Sequence, residues 1–156
     1  MAVIEINEES PVRGEIKRLI AEADAYATSL YPPDSNHLVS AEDLVAQGVR
    51  FFVARADGVA VGCAALRRDG TEGELKRMFV LERARGMGVG RAILQAVEAA
   101  ARADGVQVLR LETGVRNVEA LGLYRRSGYA ERGPFAAYGA DPVSIYMEKP
   151  LPPASR

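Results

Sequence analysis

A chain of 156 residues, 48 % apolar and 26 % charged, suits one folded core and leaves little room for a second. Twenty basic side chains against 21 acidic ones give a formal charge of -1, without the basic excess of a nucleic-acid binder, so nucleic acid is not an expected partner. The single cysteine, Cys63, excludes an intrachain disulfide, and with one histidine a His/Cys zinc site is not expected, nor another metal.

Residues 1–7 lack the basic-then-apolar pattern of a secretory signal, and no apolar run approaches the roughly 18 residues of a membrane span. Cytoplasm is therefore the expected compartment, and a membrane is not an expected partner. Residues 3–6 alternate apolar with polar and predict a short strand. Ser10-Pro11 then reads as a helix start, and Ile16, Leu19, Ile20 and Ala23 recur at helical spacing up to about Thr28. Tyr31-Pro32-Pro33-Asp34-Ser35-Asn36-His37 reads as a proline-stiffened loop. Ser40 is set to cap a second helix through Gln47, with Glu42 and Asp43 in its favoured first turn.

Two strand-like runs follow, 50–55 and 59–67, and Asp57-Gly58 between them is a strong hairpin signal. Cys63 sits in the second run and reads as a small core residue. A third strand over 73–80 follows Asp69-Gly70. The longest helix is predicted over 88–103, with Arg91, Gln95, Glu98 and Arg102 as its wet stripe and Val89, Ile93, Ala96, Val97 and Ala100 as its dry one. A strand over 106–113, a helix over 117–127 stopped by Gly128, and final strands over 129–131 and 143–148 complete the pattern. Residues 1–149 form one expected domain, and 150–156 a frayed tail. Antiparallel strands followed by strand–helix–strand–helix–strand predict a mixed α/β sheet of the α+β kind.

The informative stretch is Glu74-Leu75-Lys76-Arg77-Met78-Phe79-Val80, followed after four residues by Arg85-Gly86-Met87-Gly88-Val89-Gly90. A strand enters a glycine-rich turn, and the turn opens the longest helix. Glycine removes side chains where a ligand would approach the backbone, and the first turn of a helix offers unpaired N–H donors to an anion. The dinucleotide fingerprint is excluded because Arg91 or Ile93 stands at its third glycine. A P-loop is excluded because no Gly-Lys-Ser/Thr follows.

Residues 85–90 fit the pattern Gln/Arg-x-x-Gly-x-Gly/Ala of the GNAT acetyltransferase superfamily. Leu111-Glu112-Thr113 resembles the end of that family's fifth strand, and Asn117-x-x-Ala120-x-x-Leu123-Tyr124-x-x-x-Gly128-Tyr129 resembles its next helix and turn. The order and spacing of the three blocks match, and the resemblance, closest to small bacterial members, covers nearly the whole chain. It implies a GNAT fold, a mostly antiparallel sheet splayed between its fourth and fifth strands and flanked by helices, with acetyl-coenzyme A in the gap. It further implies an N-acetyltransferase acting on a primary amine of a small molecule or peptide. Homodimers are common in the family.

Carried onto this chain, the resemblance lays the pantetheine arm against the backbone of Met78, Phe79 and Val80. The N–H of Met78 or Phe79 is the implied oxyanion donor. The pyrophosphate falls to the amides of Arg85, Gly86, Met87, Gly88, Val89, Gly90 and Arg91. Arg83, Arg85 and Arg91 are within the expected range of the 3′-phosphate, though each also reads as a solvated charge. Asn117 is implied as a coenzyme contact, and it also reads as a helix cap. Tyr124 matches the common general acid, and Glu74 is the candidate base, acting through water. The acceptor is framed by residues 26–44 and 134–146, which offer Tyr31 and His37 as pocket residues, Phe135 and Tyr138 as residues that line the pocket or close the core, and Asp34 or Asp141 as a seat for a cationic amine. Cys63 lies in the wrong strand for an acyl-enzyme, so direct transfer is expected. A coenzyme-binding module without catalysis is the other reading, and an intact Tyr124 argues against it.

Overall fold

The computed structural model describes residues 2–31, 39–135, 139 and 141–153. Among these residues seven strands and four α-helices follow one another as β1 (Ile4–Glu8), α1 (Gly14–Leu30), α2 (Ala41–Ala46), β2 (Arg50–Ala56), β3 (Val59–Asp69), β4 (Glu72–Val80), α3 (Val89–Ala103), β5 (Val108–Gly114), α4 (Val118–Arg126), β6 (Ala130–Arg132) and β7 (Ser144–Pro150). The strands form one sheet in the order β1-β2-β3-β4-β5-β7-β6, antiparallel throughout except for β4 and β5. A mixed sheet flanked by helices is the predicted class.

Local chemistry explains most boundaries. Asp57 and Gly58, with φ of 48° and 85°, make the two-residue turn that pairs Ala56 with Val59. This left-handed pair matches strand twist. Ser40 caps α2 by accepting the Asp43 N–H at 3.1 Å. The start of α1 differs from expectation: the helix begins at Gly14, and Ser10 heads the preceding turn, where its carbonyl accepts the Arg13 N–H. Arg55 of β2 reaches both Glu9 (2.8 Å) and Glu15 (3.1 Å) and so ties this entry to the sheet.

α3 and α1 take opposite faces. A side chain at Gly62 of β3 would meet Ile93 and Val89 of α3, whereas its neighbour Cys63 pairs with Phe79, whose ring meets Tyr26 of α1. Ile93, Leu94, Val97 and Ala101 fill the α3 layer, and Ile16, Leu19 and Ile20 the α1 layer. Glu98, expected on the wet stripe, is buried. It accepts the Tyr129 hydroxyl at 2.8 Å and the Lys149 ammonium at 2.9 Å, partners from the far end of the chain that helical periodicity does not foresee. Pro150 and Leu151, expected in the tail, belong to the fold. Pro150 closes β7, and Leu151 is buried with its N–H donating to the Gln107 carbonyl.

The sheet opens where the site lies. Parallel pairing of β4 with β5 runs from Glu72↔Val108 to Leu75↔Leu111 and then stops. Just beyond, the β3–β4 register shifts and Arg77 adopts a left-handed φ of 55°, the mark of a β-bulge. β5 instead continues alongside β7 as far as Gly114↔Ser144. The two strands therefore part, as the splayed fold requires. Among the described residues no helix is long and apolar enough to cross a membrane.

Candidate active site

The parted strands border a cavity of about 1250 Å³, reached by β4, α3, β5, α4 and α1. Met78, Phe79 and Val80 line one wall, followed by Arg85, Gly86, Gly88, Val89, Gly90 and Arg91 from the turn into α3. Gly86 and Gly88 hold φ of 81° and 79°, a region where an L side chain is strained, and a Cβ at either would meet nothing within 4 Å. Gly88 is the N-cap of α3, so no side chain can satisfy the first-turn amides from that position, and the first turn holds no acidic residue. Among the described residues no side chain caps the positive end of this fifteen-residue helix, and Gly88, Val89, Gly90 and Arg91 line the cavity, a setting that suits an anion. Gly90 has a different reason. A Cβ there would stand 2.8 Å from a methyl of Leu123, so this glycine lets α4 pack against α3.

The opposite wall carries side chains. Tyr124 of α4 is 4 % exposed, edge-on to Tyr129 at 5.8 Å, and lines the cavity. Its hydroxyl has no hydrogen-bond partner among the described residues. Burial first, and then the charge of Glu112, push the phenol's pKa well above the ordinary tyrosine value, so it keeps its proton. Glu112 of β5 is half-buried, lines the same space, and accepts the Ser144 hydroxyl at 2.8 Å.

Glu74 takes another place. Strand register sets Glu74, Arg110 and Glu148 in one cross-strand row and Glu112, Tyr146 and Arg132 in the next. Both glutamates share a sheet face, but Glu74 stands where β4 and β5 are still paired, is buried, and does not line the cavity. Glu112 stands where the gap has opened. The sequence signal for it was present in the period-two pattern of β5, yet the end of pairing at Leu75 is a tertiary fact.

The remaining expected residues divide. Met87 and Arg83 are exposed on the turn and outside the lining. Asn117 borders the cavity at the N-cap of α4 without capping it, its amide nitrogen reaching Thr113 at 3.4 Å. Tyr31 lines the cavity, but its hydroxyl accepts the Arg116 N–H at 2.8 Å, and its ring lies so close to Gly114 that any side chain there would overlap it. Tyr31 therefore docks the end of α1 onto the β5–α4 turn. Phe135 is buried away from the cavity, between the guanidinium groups of Arg110 (4.7 Å) and Arg132 (5.4 Å) and edge-on to Tyr146. Asp141 accepts the Val143 N–H within its own loop. His37, Tyr138 and Asp34 lie outside the described residues. Cys63 is buried, its thiol donates to the Arg77 carbonyl, and burial pushes its pKa up to about 12, far from a nucleophile's range.

Comparisons with known proteins agree with this geometry. The model of the acetyltransferase (GNAT) family matches residues 16–129. An IAA acetyltransferase of Azospirillum brasilense is 48 % identical over 97 % of this chain and 100 % of its own length. A solved Klebsiella pneumoniae protein assigned to the acyl-CoA N-acyltransferases superposes with a TM-score of 0.82 at 38 % identity, covering 96 % of this chain and 98 % of its own. At the level of fold alone, a PaiA N-acetyltransferase of Thermoplasma acidophilum in complex with coenzyme A matches with a TM-score of 0.75 at 20 % identity, over 95 % of this chain and 99 % of its own.

Proposed function

This chain belongs to the acetyltransferase (GNAT) family and is an acyltransferase, and from that premise we propose that it transfers the acetyl group of acetyl-coenzyme A directly to a primary amine of a small molecule or peptide. The observation that carries the reading is the uncapped start of α3, with two left-handed glycines, beside a β4 edge that has no strand partner beyond Leu75 among the described residues. The amides of residues 85–91 suit the diphosphate, and the open edge at Met78, Phe79 and Val80 suits the amide-bearing pantetheine arm, as an added strand would. The N–H of Met78 or Phe79 is then positioned on the strand that serves as oxyanion donor.

An amine with a pKa near ~10 is mostly ammonium at neutral pH, so the attacking fraction is the neutral form. Its nitrogen bonds to the acetyl carbonyl carbon while the C–S bond breaks. Glu112 takes the proton released from nitrogen, directly or through one water, and Tyr124 supplies one to the departing sulfur. The base role passes from Glu74 to Glu112 because the latter lines the cavity and acts electrostatically on Tyr124. Asn117 is assigned to orienting the coenzyme at the cavity wall.

The test is thiol release from acetyl-coenzyme A across amino acids, polyamines, aminoglycosides and peptides, with coenzyme A binding followed by calorimetry. Heat on titration and acceptor-dependent thiol release are expected. No heat, or tighter binding of ATP or NAD than of coenzyme A, would remove the reading.

A further inference from the structure

One ion pair crosses the mouth of the cavity and has no part in the transfer chemistry. Arg85 leaves the turn before α3, on the backbone-lined wall, and Glu119 stands in the first turn of α4, on the opposite wall; their charged atoms are 3.2 Å apart. The Arg85 guanidinium also lies 5.1 Å from the centre of the Tyr26 ring of α1, which tilts against Phe79 of β4. All four side chains border the cavity. Arg85 is thus held by two other elements, beside the amides of Gly86 and Gly88.

A diphosphate arriving at those amides competes with Glu119 for the same guanidinium. Glu119 is 70 % exposed, so its hold on Arg85 is screened and weak, whereas a phosphate offers more charge and a bidentate partner for arginine. Once Arg85 turns to the phosphate, Glu119 loses that partner, and the lost pairing reduces the net gain on binding.

We propose that Glu119, acting through Arg85, sets the affinity of this site. It holds Arg85 across the mouth, gives it up when the diphosphate binds, and thereby weakens the complex and speeds release of the coenzyme product. The proposal rests on the diphosphate reading of the α3 cradle. Product release often limits turnover in enzymes whose sites close over substrate, and affinity differences within one site lie mostly in the off-rate. Glu119 is then an affinity-determining residue outside the reacting atoms.

The experiment compares wild type and Glu119→Gln in calorimetry and stopped-flow binding of coenzyme A. The variant is expected to bind roughly threefold to fivefold more tightly at low ionic strength, through a slower off-rate, with the advantage shrinking as salt rises. Pantetheine, which lacks the phosphates, should bind both proteins alike. In an Arg85→Ala background the Glu119→Gln advantage should vanish. An unchanged or weaker affinity, or an advantage that survives without Arg85, overturns the proposal. Absence of coenzyme A binding by the wild type is a different failure, since it removes the cradle reading itself and the proposal with it.

Discussion

The two walls of the cavity are built from different materials. On the β4–α3 side, the lining residues Met78, Phe79, Val80, Arg85, Gly86, Gly88, Val89, Gly90 and Arg91 come from one short stretch of chain. On the other side, Tyr26, Glu112, Tyr124 and Ser144 come from four elements separated by most of the chain. Backbone geometry depends on where glycine permits left-handed turns, a local property. A constellation of side chains depends on register, packing and the splay of the sheet. On the proposed reading the first wall takes the donor and the second the acceptor.

Substitutions can sharpen that contrast. The largest effect is expected for Glu112→Gln, a loss of about a hundredfold in kcat with a flattened acid limb of the pH–rate profile and unchanged coenzyme affinity. A full-rate variant would return the base role to another group. Tyr124→Phe should lower kcat by at least about tenfold, again with little change in coenzyme binding; equal turnover would leave the tyrosine as packing alone.

On the opposite wall the signature reverses. Gly88→Ala forces a side chain into φ of 79° and should weaken coenzyme A binding by about tenfold while leaving the acceptor KM near its original value. A calorimetric constant unaffected by this change would mean that the turn does not meet the ligand. Smallest is Tyr31→Phe, which removes the acceptor of the Arg116 N–H and should raise the acceptor KM by roughly fivefold without altering coenzyme affinity. Were coenzyme binding to suffer instead, α1 would belong to the donor wall and the contrast drawn here would fail.

Residues 85–90 show how much of the site was legible without coordinates. Three alternate glycines after a strand and before a helix announce a tight turn of bare backbone, because glycine at such a junction is a backbone requirement. Even there the third glycine proved to serve packing, since Leu123 occupies the space above Gly90. Glu98 left its expected place, and Phe135 took the core reading of the two open to it, for the same reason. An aromatic near the expected pocket and a carboxylate on an apparent wet stripe were both given their surroundings by tertiary contacts, Phe135 by Arg110 and Arg132, Glu98 by Tyr129 and Lys149.

The amino-acid order by itself determined the strand and helix succession, the Asp57-Gly58 hairpin, the Ser40 cap and the glycine turn, since each follows from dihedral preference or periodicity within a few residues. Only the tertiary structure decided that β4 and β5 separate after Leu75↔Leu111, that Glu112 rather than Glu74 faces the opening, and that Tyr31 spends its hydroxyl on the Arg116 amide. Those outcomes depend on which strands find each other across long separations, and no local preference carries that information.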